Sequence, residues 1–211
     1  MDFSLIETMR WMPDDGFLRL DQHRRRLARS ADALGFRQPA NIERDLKDAV
    51  SGDEPLRVRL VMSFRGKIEI TATPFTPQGE ETIWKIRVGK TKLKSDDPLY
   101  RHKTSRREPY EAARAEFPAE DADEVLLTNE RGELCEGTIS NLFVEDAEGM
   151  LLTPPITSGI LPGVLRADLI RERRAKGAVL MPADLEEATK AGRAIYVGNS
   201  LRGLIRAQLA G

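Results

Sequence analysis

Two residues in the stretch from Arg101 to Phe143 could do chemistry together. Lys103 stands in Arg-His-Lys-Thr-Ser, and Glu136 stands in Glu-Leu-Cys-Glu-Gly-Thr-Ile-Ser-Asn-Leu-Phe. A lysine amine condenses with an aldehyde, and once displaced it can carry a proton to and from a neighbouring carbon. A carboxylate can keep a heteroaromatic nitrogen protonated, so that the ring accepts an electron pair. A β-scaffold that brought the amine and the carboxylate together would serve carbonyl chemistry of this kind. Most lysines are solvated surface residues, so Lys103 gains its interest from the residues downstream in the chain.

Glu136-Gly137, with Ser140-Asn141-Leu142-Phe143 after it, resembles the signature of the fold-type IV (class IV) pyridoxal-phosphate enzymes. That family includes branched-chain aminotransferase, D-amino-acid aminotransferase and 4-amino-4-deoxychorismate lyase. Three further blocks stand in the family's order: His23-x-x-Arg26-Leu27 with Ser30-Ala31, the run from Thr153 to Arg166, and Gly198-Asn199-Ser200-Leu201-Arg202-Gly203. Together they span nearly the whole chain.

The resemblance implies pyridoxal 5'-phosphate as cofactor, Lys103 as the Schiff-base residue and Glu136 as the partner of the pyridinium nitrogen. It implies that Tyr110 touches the cofactor ring and that Asn141 supports the site. Arg26 and Asn199 are the implied phosphate ligands, with the backbone of Gly163, Val164 and Leu165 where a helix opens. Ser200 would offer a backbone N–H to a substrate carboxylate. Glu7-Thr8-Met9-Arg10 is similar to the lyase's N-terminal block, and Thr8 matches its proton donor. Arg57, Arg59 and Arg87, on strands of the small lobe, could bind substrate carboxylates. The activity expected first is aminodeoxychorismate lyase, releasing pyruvate and 4-aminobenzoate in folate synthesis. The alternatives are a class IV transaminase using branched-chain or D-amino acids and, more remotely, a non-catalytic binding protein that has kept the fold. The resemblance also implies a homodimer, and a further N-terminal segment of roughly thirty residues that this chain is expected to lack.

Composition narrows the classes. At 211 residues and 40% hydrophobic the chain can hold two small lobes or one large one. A net charge of -1 and 6% aromatic residues give no basic, stacking face for nucleic acid. No run approaches the length that spans a membrane, and Met1-Asp2-Phe3-Ser4 does not open a signal peptide. The single Cys135 excludes an internal disulfide framework and suits a reducing cytoplasm. The expected partner is a small-molecule amino substrate, with no metal.

The elements that must position these residues can be read from periodicity. Ser4–Arg10 predicts a strand. Asp21 is a candidate cap for a helix with Leu27, Ala31 and Leu34 on one face and Gly35 as its stop. Asn41 caps a second helix. Alternation from Leu56 to Met62, the Arg65-Gly66 turn and Ile68–Ala72 predict a hairpin. Thr82–Val88 predicts a third strand, Glu108–Phe117 a helix and Glu124–Thr128 a strand. Asn129–Gly132 predicts a turn and Thr138–Glu145 its return strand. Met150–Thr153 and Ala194–Val197 predict further strands, and Pro162 and Pro182 the starts of two helices, the first with Leu165, Leu169 and Ile170 inward. Strands clustered in each half argue an α+β fold. The resemblance makes it a two-lobed fold-type IV enzyme, with a small N-terminal α/β lobe at 1–92, a linker at 93–100 and a larger C-terminal pseudo-barrel lobe at 101–211.

Overall fold

The structure, a computed structural model, describes residues 2–210. It divides into two units. The first contains the residues through Gln78 together with His102–Arg106 and Ser200–Arg202, and the second contains Gly79–Arg101, Arg107–Asn199 and the residues from Gly203 on.

In the first unit, strands β1 (Leu5–Met12), β2 (Gly16–Phe17), β3 (Leu56–Met62) and β4 (Ile68–Pro74) form an antiparallel sheet in the order β2-β1-β3-β4. Helices α1 (Leu20–Leu34) and α2 (Ile42–Asp48) complete it. The strand period of two sorts the side chains. Leu5, Glu7 and Met9 of β1 share a face with Val58, Leu60 and Met62 of β3, and the apolar members pack with Leu27, Ala31 and Leu46 of the helices. The opposite face carries Thr8 and Arg10, in register with Arg59 and Arg57. Gly35, at φ 70°, ends α1 where a residue with a Cβ would be strained. The start of α1 differs from expectation. Arg19, at φ 59°, precedes Leu20, and Asp21 lies in the first turn, where its charge favours the helix dipole without capping it.

The second unit is built on an eight-stranded sheet. Its strands are β5 (Ile83–Leu93), β6 (Glu124–Asn129), β7 (Leu134–Gly137), β8 (Asn141–Glu145), β9 (Leu151–Thr153), β10 (Ala175–Gly177), β11 (Ile195–Asn199) and β12 (Gly203–Leu209). They lie in the order β10-β9-β8-β11-β12-β5-β6-β7, and pairing of β7 with β8 closes six of them into a barrel. Helices α3 (Glu108–Arg114), α4 (Val164–Arg171) and α5 (Pro182–Lys190) pack around it. Strand β6 is buried along its whole length. Leu126 joins Leu134, Leu142 and Val197 in one core, and Val125 and Leu127 join Ala113 and Cys135 in another. Each leucine or valine among them contributes roughly 1.5–3 kcal/mol by leaving water.

Several boundaries differ from those expected. Strand β5 runs on to the buried Leu93, so residues 79–101 fold with the second unit rather than ending a first lobe at 92 and opening a linker. Arg87 therefore lies on a barrel strand of the second unit, over the Phe117 ring, whereas Arg57 and Arg59 belong to the first. The helix expected to reach Phe117 ends at Arg114. The return strand expected over Thr138–Glu145 starts only at Asn141, as β8, because Thr138-Ile139-Ser140 is a tight turn, and the strand that returns along β6 is β7, which was not expected. Pro162 precedes α4 instead of beginning it, and Ile170 faces outward.

Candidate active site

Lys103 is held against β1 by backbone bonds and an isolated bridge at Thr104. The Ile6 N–H donates to the Lys103 carbonyl at 2.8 Å, Leu5 pairs with Thr104, and the Ser105 N–H donates to the Ser4 carbonyl at 2.9 Å. His102 Nδ1 lies 3.0 Å from Ser30 Oγ on α1. The lysine is half-buried, with its backbone fixed on both sides. Its contact at Ile6 lies two residues from Thr8, so the two residues assigned to proton transfer share one unit. Thr8 and Arg59 are half-buried, and Arg57 is exposed.

Beneath that strand is a polar cluster. Glu7 sits on the apolar face of β1, where α1 presents His23 and Arg26, one turn apart. Arg26 Nε donates to Glu7 Oε1 at 2.8 Å, and Nη2 donates to Oε2 at 2.6 Å. His23 Nδ1 is 2.6 Å from Oε2, and Nε2 is 2.8 Å from Ser200 Oγ. A carboxylate only accepts, so Nδ1 carries a proton, and in the neutral ring Nε2 accepts from the serine hydroxyl. Burial alone would raise the Glu7 carboxyl, but the Arg26 charge and the bonds from His23 and Arg26 outweigh it and hold it at about 2. Serine, histidine and carboxylate follow the order of a nucleophile, its base and its orienting group. Here Ser200 is only 5% exposed and Glu7 is clamped by an arginine, so the chain acts as a brace.

In the second unit the sites converge on Glu136. Its Oε1 accepts from the Tyr110 hydroxyl at 2.8 Å and the Leu161 N–H at 3.1 Å, and Oε2 accepts from Asn141 Nδ2 at 3.2 Å. Burial and the neighbouring Glu136 charge push the Tyr110 phenol well above its usual range, so it stays a donor. Asn141 Nδ2 also donates to the Leu161 carbonyl at 3.1 Å. A Cβ at Gly163 would collide with Asn141 Oδ1, which is the close approach that requires glycine there. Gly163 caps α4 without a side chain, and the N–H groups of Val164 and Leu165 are first-turn donors that lack an intrahelical acceptor. Asn199, at the end of β11, donates from Nδ2 to the Ile139 carbonyl at 3.0 Å.

The expected residues thus fall into two groups. Lys103, Thr8, Arg26, Arg57, Arg59 and Ser200 belong to the first unit. Tyr110, Glu136, Asn141, Gly163, Val164, Leu165 and Asn199 belong to the second. Three contributors were missed. Glu7 was legible as the one polar residue on the apolar face of β1. Glu124, fully buried, accepts from the N–H groups of Thr138 and Ile139 and from the hydroxyls of Thr138 and Ser140, at 2.6–3.1 Å. Arg166 donates to the Pro154 carbonyl at 2.8 Å, while its Nε is buried with no partner. Burial lowers its pKa, and the Glu136 charge opposes the shift. Nothing in the sequence marked Glu124, and Arg166 was marked only as the last residue of the run from Thr153, with no role assigned.

Residues 4–209 match the family model described as amino-transferase class IV. A Mesorhizobium loti crystal structure named among the amino-acid aminotransferases is 47% identical, with a TM-score of 0.94, over 99% of this chain and 100% of that one. Two more distant structures share the fold. The branched-chain aminotransferase of Thermoproteus uzoniensis with norvaline is 21% identical (TM-score 0.82) over 98% of this chain and 77% of that one. A Legionella pneumophila structure named for 4-amino-4-deoxychorismate lyase is 22% identical (TM-score 0.78) over 97% and 81%. A Thermotoga maritima protein named as a branched-chain-amino-acid aminotransferase is 43% identical over 51 residues, 24% of this chain and only 18% of that protein.

Proposed function

The chain belongs to the class IV aminotransferases, pyridoxal-phosphate enzymes that include aminotransferases and lyases, and within that family we propose that it is an aminodeoxychorismate lyase, releasing pyruvate and 4-aminobenzoate. The observation that carries this reading is the sheet face bearing Thr8, Arg10, Arg57 and Arg59. An aliphatic amino-acid side chain needs an apolar wall. Guanidinium groups suit a substrate with more than one carboxylate.

The residues fit the cofactor. Glu136, buried and acceptor-only, suits a pyridinium N–H, and the chain closes on Asn141 at Gly163, where a helix presents unpaired N–H groups. Bound pyridoxal phosphate supplies an aldehyde for an amine and a ring that takes up the electron pair left at the substrate carbon. Lys103 would hold that aldehyde at rest and afterwards move the proton at the substrate carbon. Glu136 would keep the ring nitrogen protonated, oriented by Tyr110, Asn141 and the Leu161 N–H. Arg26, Asn199 and the N–H groups of Val164 and Leu165 would hold the phosphate. Arg57, Arg59 and the Ser200 N–H would hold substrate carboxylates, and Thr8 would donate the proton to the departing enolpyruvyl carbon. In this reading the protein works in folate synthesis as a homodimer.

A transaminase acting on branched-chain or D-amino acids is the second reading, favoured by the name of the 47% identical relative. Cofactor-loaded protein incubated with aminodeoxychorismate decides between them. Pyruvate and 4-aminobenzoate should appear in equal amounts, and neither should form with Lys103→Ala. Borohydride should fix the cofactor to the unsubstituted chain and not to Lys103→Ala. Cofactor fixed without pyruvate release would leave the transaminase, to be tested with amino-acid donors.

A further inference from the structure

Arg26 meets Glu7 through a side-on fork, Nε on Oε1 and Nη2 on Oε2, which leaves Nη1 outside the pair. The carboxylate is itself braced from the other side, since His23 Nδ1 shares Oε2 and His23 Nε2 lies against Ser200. Every member is nearly sealed from solvent, Glu7 at 2%, His23 at 1%, Ser200 at 5% and Arg26 at 7% exposure. A mobile arginine loses about 2 kcal/mol of rotamer entropy when it is fixed. In this cluster that loss is met on folding, before any ligand arrives, and one nitrogen is left with a set direction.

We propose that Glu7 is a positioning residue of the cofactor site, holding Arg26 preset so that Nη1 meets the phosphate of pyridoxal 5'-phosphate without further ordering. The proposal rests on the reading of Arg26 as a phosphate ligand. It makes a prediction opposite in sign to simple charge counting. Replacing Glu7 by a neutral residue removes a negative charge beside the phosphate, which by Coulomb attraction alone would tighten phosphate binding. Loss of positioning weakens it instead.

The test compares binding of pyridoxal 5'-phosphate and of phosphate-free pyridoxal to the cofactor-free protein, followed by absorbance. The ratio of the two affinities isolates the phosphate. Glu7→Gln should lower that ratio by about tenfold or more, the equivalent of about 1.4 kcal/mol, and Arg26→Gln should lower it at least as far. General damage to the fold would weaken both ligands alike and leave the ratio unchanged. A ratio unchanged or raised in Glu7→Gln, with the ratio lowered in Arg26→Gln, overturns the positioning role alone. A ratio unchanged in Arg26→Gln overturns the phosphate assignment, and the proposal with it. Glu7→Gln leaves a buried guanidinium without its counter-charge. If that variant does not fold, Glu7→Asp keeps the charge but shortens the reach by one methylene. The same fall in the ratio is then expected, and an unchanged ratio overturns the proposal.

Discussion

At Gly163 the absence of a side chain lets the start of α4 close on Asn141, whose amide bridges Glu136 and the Leu161 carbonyl. Its φ of -63° is open to any residue, so the requirement is for space rather than for backbone freedom. Gly163→Ala should therefore act through Asn141. The added methyl must displace the amide, at a cost of roughly 1–3 kcal/mol for overpacking, and should weaken cofactor binding by about the corresponding factor of ten or more. Urea unfolding and cofactor titration measure the two effects. Alanine tolerated with neither changed would mean that Asn141 has room to yield. Gly35 is the opposite case, because there nothing crowds the missing Cβ and a φ of 70° alone favours glycine.

Elements are fixed as much by buried carboxylates as by apolar alternation. The turn between β7 and β8 wraps the Glu124 carboxylate, which takes two N–H groups and two hydroxyls of residues 138–140. A Cβ at Gly137 would come within 2.6 Å of that carboxylate. Glu136 and Asn141 face each other in register just outside the turn. Glu124→Ala strands several buried donors and should cost roughly 3–5 kcal/mol, with Glu124→Gln milder because its carbonyl keeps part of the acceptor capacity. Chemical denaturation of both variants tests this, and a loss below about 1 kcal/mol in Glu124→Ala would show that water replaces the carboxylate. The same turn shows what was legible in the sequence. Leu56–Met62 declared itself by clean alternation, and Asn129–Gly132 by its turn residues. Thr138-Ile139-Ser140 lacks the usual turn chemistry, so the turn between β7 and β8 read as the start of the return strand, and β7 was not expected. Their separation depends on a glutamate more than ten residues upstream. Strand β12 was missed because Gly203 and the charged Arg206 interrupt a run whose burial comes from β5 and β11 on either side. For the candidate site, Lys103, Glu136 and Asn141 were named from motif order. Glu7 is visible in the alternation of β1 as the polar residue on its apolar face, whereas Glu124 and Arg166 act through neighbours distant in sequence, which spacing does not encode.

Across the whole molecule, acid is the perturbation that separates the two units. Glu7 lies in the first and is held at about 2, against an ordinary value of 4.5. A carboxyl depressed on folding contributes stability that is complete above about pH 4.5 and is lost as the pH falls through about 2, because the unfolded chain takes up the proton first. For Glu7 that contribution is on the order of 3 kcal/mol. Glu130 and Glu133, on the β6–β7 turn of the second unit, are also held at about 2, by the Ser95 and Arg131 bonds respectively. Glu130 is exposed and Glu133 only half-buried, so water and salt screen both. The first unit should therefore be the more acid-labile. The chain contains two tryptophans, Trp11 in the first unit and Trp84 in the second, so each can report on its own unit. In a Trp84→Phe background the urea midpoint followed by Trp11 should fall steeply between pH 4.5 and 2. In a Trp11→Phe background the Trp84 midpoint should fall less. Coincident profiles would show that the units unfold as one. A Trp11 profile flat across that range would show that Glu7 keeps no differential charge, and the brace built on it would lose its physical basis.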